Sequence, residues 1–89
     1  MEVSAMKAYI EKGKVVNHPV ISLEKTGNQI KQLRVEKGMS VQKLADLMEF
    51  EAVQAVYNWQ SGKTLPSLEN LKLLSELFEK PMEEILIFE

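Results

Sequence analysis

Between residues 52 and 61 the chain reads Ala-Val-Gln-Ala-Val-Tyr-Asn-Trp-Gln-Ser. Ala52, Ala55, Val56 and Trp59 recur at intervals of three and four, the spacing of an apolar helix face. Val53, Gln54, Tyr57 and Asn58 then form an outward stripe, with Ser61 further along. Gln54 and Asn58 stand four residues apart and share a face. A carboxamide carries donor and acceptor side by side and can bind the major-groove edge of adenine, while Val53 suits a thymine methyl. Tyr57 can hydrogen-bond a phosphate or stack on a sugar. Lys43, Ser61, Lys63 and Thr64, by position around this helix and its predecessor, are the candidates for phosphate oxygens. Ordinary solvation produces similar polar helix faces, so the surrounding elements must decide between the two readings.

Other chemistries lack their residues. The 89 residues include no cysteine, which removes disulfides, thiolate metal sites and thiol nucleophiles together. His18 is the sole histidine, and beside Pro19 it reads as a surface or arm residue without a metal. No paired carboxylates are marked out and no glycine-rich phosphate loop is present, so no enzyme, cofactor or small-molecule ligand is expected. No apolar run approaches the roughly 20 residues needed to span a bilayer, and the N-terminus lacks a signal-peptide core. A cytoplasmic protein without membrane contact is the expectation.

Formal net charge is −2, which at first argues against a polyanionic partner. The distribution is uneven. Residues 25–63 carry six basic groups (Lys25, Lys31, Arg34, Lys37, Lys43, Lys63) against four acidic (Glu36, Asp46, Glu49, Glu51). Residues 64–89 carry two basic against six acidic, with Glu76, Glu79, Glu83 and Glu84 reading as a solvated face. A weakly positive middle is compatible with an anion.

Two parts are expected: an extension over 1–25 and a helical domain over 26–89. In the extension, Ser4 to Lys12 fits a short helix with Met6, Tyr9 and Ile10 at helical spacing, broken by Gly13. Val15 to Ile21 is β-branched but interrupted by Pro19, which suits an edge strand, a hairpin or an extended arm. In the domain, Thr26 or Asn28 caps a first helix with Ile30 and Leu33 inward and Gly38 as its stop. Ser40 caps a second, whose Val41, Leu44, Ala45 and Met48 make one buried face. The third begins near Ala52 and ends at Gly62. Pro66-Ser67-Leu68 opens a fourth with Leu71, Leu74, Leu77 and Phe78 inward, and Pro81-Met82 a fifth with Ile85 and Leu86. Connections are short, so consecutive helices must pack on one another. Two expectations stand for the chain's end: Ile87-Phe88-Glu89 reads as the close of a short domain, and the chain also fits as one part of a longer protein.

The tight link around Glu49-Phe50-Glu51 holds the second and third helices at a large angle, the arrangement that presents a helix to the major groove. Ala45 supplies a small residue for the crossing, and Val56 plugs the third helix into the core. The series Leu33-Arg34, Gly38-Met39-Ser40, Leu44-Ala45, Val56-Tyr57-Asn58-Trp59-Gln60-Ser61-Gly62 and Leu65-Pro66-Ser67-Leu68 resembles the Cro/repressor-type (XRE-like, lambda-repressor-like) helix-turn-helix DNA-binding family across residues 27–87. That resemblance implies an all-α, five-helix domain acting as a homodimer on double-stranded DNA in bacterial or phage transcription control, most simply as a repressor. Val15 to Ile21, or Ile85 to Phe88, are the candidate dimer surfaces.

Several positions depart from the family pattern. Val41 stands where members usually carry Gln, Glu49 where the turn usually holds Gly, and Ala52 where Ser commonly caps the recognition helix. A left-handed Glu49 would carry strain. The family's Arg–Glu pair becomes Arg34 with Gln60, exchanging an ion pair for a charge–amide hydrogen bond. Glu49 and Glu51 bring negative charge near the DNA face. These features support a second reading, a protein-interaction module (antitoxin-like or inhibitor) that keeps the fold without strong DNA binding.

Overall fold

A computed structural model describes residues 9–11, 14–16 and 18–89. Four helices form the body: α1 (Leu23–Glu36), α2 (Val41–Leu47), α3 (Gln54–Gln60) and α4 (Leu68–Phe78). A 3₁₀ turn at Met82–Glu84 follows them, and a hairpin of β1 (Tyr9–Glu11) and β2 (Lys14–Val16) precedes them. The hairpin is antiparallel, with Ile10 opposite Val15. It replaces the helix expected from Ser4 to Lys12 at Tyr9–Glu11; residues 4–8 and 12 of that expectation lie outside the described residues.

Serines start three of the helices. The Ser22, Ser40 and Ser67 hydroxyls accept from the backbone N–H of Lys25, Lys43 and Asn70, at 3.1, 3.0 and 3.2 Å. α1 therefore opens at Leu23, earlier than a cap at Thr26 or Asn28 would place it. Thr26 is instead buried within the helix, its hydroxyl accepting from the Ile87 N–H at 2.9 Å. That partner lies 61 residues away, so local patterning could not reveal it.

All four helices stop by one geometry. At the end of α1 the Met39 N–H bonds to the Arg34 carbonyl; at α2 Phe50 bonds to Ala45; at α3 Lys63 bonds to Asn58; at α4 Lys80 bonds to Ser75. Each closes a Schellman loop around a left-handed residue. Gly38 (φ 70°) and Gly62 (φ 80°) fill that position twice, as expected, and Glu49 (φ 60°) and Glu79 (φ 58°) fill it twice without glycine's freedom.

The core is Ile30, Leu33, Leu44, Ala45, Met48, Val56, Trp59, Leu71, Leu74, Phe78 and Ile85, all buried. At about 1.5–3 kcal/mol for each large side chain removed from water, this cluster is the main source of cohesion. Phe50, in the turn between α2 and α3, meets Trp59 edge-on with ring centroids 5.7 Å apart.

The fifth helix is a correction: only the 3₁₀ turn forms. The Ile87 N–H is committed to Thr26 and the Ile87 carbonyl accepts from Ser22 N–H at 2.8 Å, while Glu89 N–H donates to the Val20 carbonyl at 2.9 Å. The tail is thereby drawn into an extended bridge, Ile21 against Phe88. The two candidate dimer surfaces thus meet each other at these residues within one chain, and Ile85 is buried in the core.

Candidate nucleic-acid interface

The α3 helix is held from behind at three places. Val56 is fully buried and Trp59 nearly so. Gly27 of α1 lies directly against the backbone at Trp59 and Gln60, leaving no space for a β-carbon. Arg34, half-buried on α1, donates from Nε to Gln60 Oε1 at 2.8 Å and from Nη1 to the Met39 carbonyl at 2.7 Å. Both acceptors are neutral, so neither cancels the guanidinium charge behind the helix. This is the charge–amide bond expected from pairing Arg34 with Gln60.

The start of α3 is less secure. Val53 precedes it in helical backbone and no side chain caps it, in contrast to the three serine-capped helices. Ala52 is exposed rather than inward, because the helix begins at Gln54 and leaves Ala52 in the preceding turn. Val53 also departs from the outward stripe: it is half-buried and packs on the core.

The remaining stripe is presented to solvent. Gln54 is exposed, Tyr57 is half exposed and Asn58 is partly so. Gln54 Nε2 donates to Asn58 Oδ1 at 2.9 Å, which brings the two carboxamides together. The Asn58 backbone carbonyl gathers the Ser61 hydroxyl (3.2 Å), the Lys63 N–H (2.9 Å) and the Thr64 N–H (3.3 Å). Three of the four phosphate candidates are therefore fastened at one end of α3, with Lys63 and Thr64 exposed. The Ser61 hydroxyl hydrogen is already used there and must rotate to reach a phosphate. Lys43 belongs to α2, exposed, one residue after Gln42, whose Nε2 donates to Asp46 Oδ1 at 2.9 Å.

Sequence reasoning passed over Gly27 and Phe50. A lone glycine inside a helical pattern points to a packing reason, and at Gly27 that reason is the close approach of the α3 backbone. Phe50 carried no periodic signal, since it lies in the turn.

A family model described as helix-turn-helix matches residues 30–85, which contain α2, its turn and α3 complete. The chain belongs to the Cro/repressor-type helix-turn-helix DNA-binding family. The HTH-type transcriptional activator BcrR of Enterococcus faecalis is 33% identical over 58 residues, covering 65% of this chain and 28% of that protein. This chain therefore spans under a third of that relative's length. Among solved structures, the restriction-modification controller protein C.AhdI from Aeromonas hydrophila superposes with a TM-score of 0.64 at 28% identity, covering 71% of this chain and 94% of that one. The DNA-binding domain of BldD gives the same TM-score at 16% identity, covering 74% and 94%, and shows the shared fold. Among the described residues no helix is long and apolar enough to cross a membrane.

Proposed function

We propose that the chain is a sequence-specific DNA-binding regulator of transcription that lays α3 in the major groove. Gln54, Tyr57 and Asn58 read or line base edges, with half-buried Val53 at the margin of the face, next to a thymine methyl. Lys43, Ser61, Lys63 and Thr64 hold flanking phosphates and set register. The observation that carries this reading is the polarity of α3: Val56 and Trp59 are buried on one side while Gln54 and Tyr57 stand exposed on the other, inside the family's matched region. The named functions of the relatives, transcriptional activator and controller protein, point the same way and to a non-enzymatic role.

The working unit is a homodimer on a pseudo-palindrome, with recognition helices roughly 34 Å apart to match one duplex turn. Selection of bound duplexes from a random pool tests the reading. Two related half-sites about 10 base pairs apart are the expected result. No enrichment at low salt would overturn it. That outcome would favour the partner-binding module, a reading supported by Glu49 and Glu51, both exposed in the turn before α3. A reporter assay decides the sign of control, which the family resemblance sets as repression and BcrR's name as activation.

A further inference from the structure

We propose that Gln54 and Asn58 read DNA as one coupled unit, in which Asn58 sets the orientation of Gln54 and offers its own amide hydrogens to base edges that accept hydrogen bonds. The proposal rests on the DNA-binding reading above and goes further, to the division of labour within the face.

The bond from Gln54 Nε2 to Asn58 Oδ1 (2.9 Å) has a defined polarity. The same polarity recurs on α2, where Gln42 Nε2 donates to Asp46 Oδ1 at the same separation. Aspartate has no hydrogen to give, so there the glutamine must be the donor. On α3 the asparagine takes the aspartate's place. Its backbone is also the better anchored of the two, because its carbonyl holds Ser61, Lys63 and Thr64 together. Asn58 is partly buried, whereas Gln54 is exposed and one methylene longer. The shorter residue, on the better-held backbone, therefore orients the longer and more exposed one.

Orientation determines what each amide offers. Gln54 spends one N–H on Asn58 and keeps its Oε1 and a second N–H, the acceptor–donor pair that matches N6 and N7 of adenine. With one lone pair of its Oδ1 engaged by Gln54, Asn58 has both Nδ2 hydrogens to offer. These suit O6 or N7 of guanine, N7 of adenine or O4 of thymine. Asn58 thus serves as a positioning residue for Gln54 and as a reader in its own right.

Substitution separates these roles. Asn58→Asp retains the acceptor for Gln54 and removes the outward donors; Asn58→Ala removes both. Duplex selection with the full chain and each variant, with helicity checked by circular dichroism, reads the preference at each base pair as a ratio. That ratio is insensitive to the uniform loss of affinity an added carboxylate brings. The adenine preference assigned to Gln54, identified by its loss in Gln54→Ala, is expected to survive Asn58→Asp. In Asn58→Ala the same preference falls by about tenfold. A second, acceptor-type preference is expected to vanish in both Asn58 variants. Equal effects of Asp and Ala on the Gln54 position, or no effect of either, would show independent amides and overturn the coupling. Failure of the unsubstituted chain to enrich any sequence is a separate outcome, which overturns the DNA-binding reading and this inference with it.

Discussion

Gly27 and Trp59 meet so closely that a β-carbon on the glycine would collide with the tryptophan's carbonyl oxygen and stand 2.8 Å from that of Gln60. The obstruction is backbone, which cannot swing aside as a flexible side chain does. Gly27→Ala therefore pushes α1 away from α3 despite alanine's better helix propensity. The expected cost is about 1–3 kcal/mol, the range for overpacking. Thermal unfolding should register it as a midpoint lower by roughly 4–8 °C per kcal/mol. A stabilised variant would mean that the two helices separate without penalty.

Thr26→Val keeps size and branching but removes the acceptor for the Ile87 N–H. The bond is 2.9 Å long and Thr26 is fully buried. A backbone donor left unsatisfied costs about 1–3 kcal/mol. Chemical denaturation should show that loss, and amide exchange should place faster opening at Ile87 and Glu89.

Glu49 holds a left-handed conformation at φ 60°. Glycine adopts it without the β-carbon clash, so Glu49→Gly is expected to stabilise the chain by about 1 kcal/mol. Glu79 offers the internal control. It has the same backbone problem at φ 58°, yet its carboxylate accepts from Lys37 Nζ at 2.9 Å. Glu79→Gly relieves the strain and loses that bond, so its gain should be the smaller in parallel denaturation curves.

Lys37 also holds the Glu79 carboxyl below its ordinary value of 4.5, first through the hydrogen bond and then through its charge. A group whose pKa is depressed by folding stabilises the folded chain above its unfolded pKa. That stabilisation is lost as pH falls through the depressed value. The contribution is thus present at neutral pH, begins to fade as pH falls past 4.5 and is gone once pH lies under the depressed value. Glu79→Gln should lower the denaturation midpoint slightly at neutral pH and match the unsubstituted chain in strong acid. The difference should shrink in high salt, because the pair is exposed.

Lys63→Ala tests the phosphate assignment. Its N–H is fixed to the Asn58 carbonyl, so the backbone stays in place when the ammonium is removed. Affinity should fall by a similar factor for every duplex, and the slope of log K against log salt should flatten by about one. A change in preferred sequence instead would assign Lys63 to base reading.

Much of this architecture was legible because it is periodic. Leu44, Ala45, Val56, Trp59, Leu71, Leu74 and Phe78 lie at helical spacings and are buried where that spacing put them. Gly38 and Gly62 end their helices for the reason glycine usually does. Misread positions were those governed by distant partners or by a start without a cap. Thr26 looks like a capping residue until Ile87 reaches it from the far end of the chain. Ala52 continues the apolar rhythm of α3, but the helix begins after it. The stripe of Gln54, Tyr57 and Asn58 was visible from the same rhythm; the bond between its two amides depends on rotamers, which spacing does not encode.

The bridge between Ile21 and Phe88 has a mechanical corollary. Val20 and Glu89 are joined at the open end of an antiparallel ladder, with Ser22 and Ile87 next in line. Tension applied through both flanks would load those bonds in sequence, peeling the ladder apart like a zip. The same bonds would share the load if the strands were sheared lengthwise. Separating this latch first would expose Thr26 and leave the helical body as the next barrier to extension.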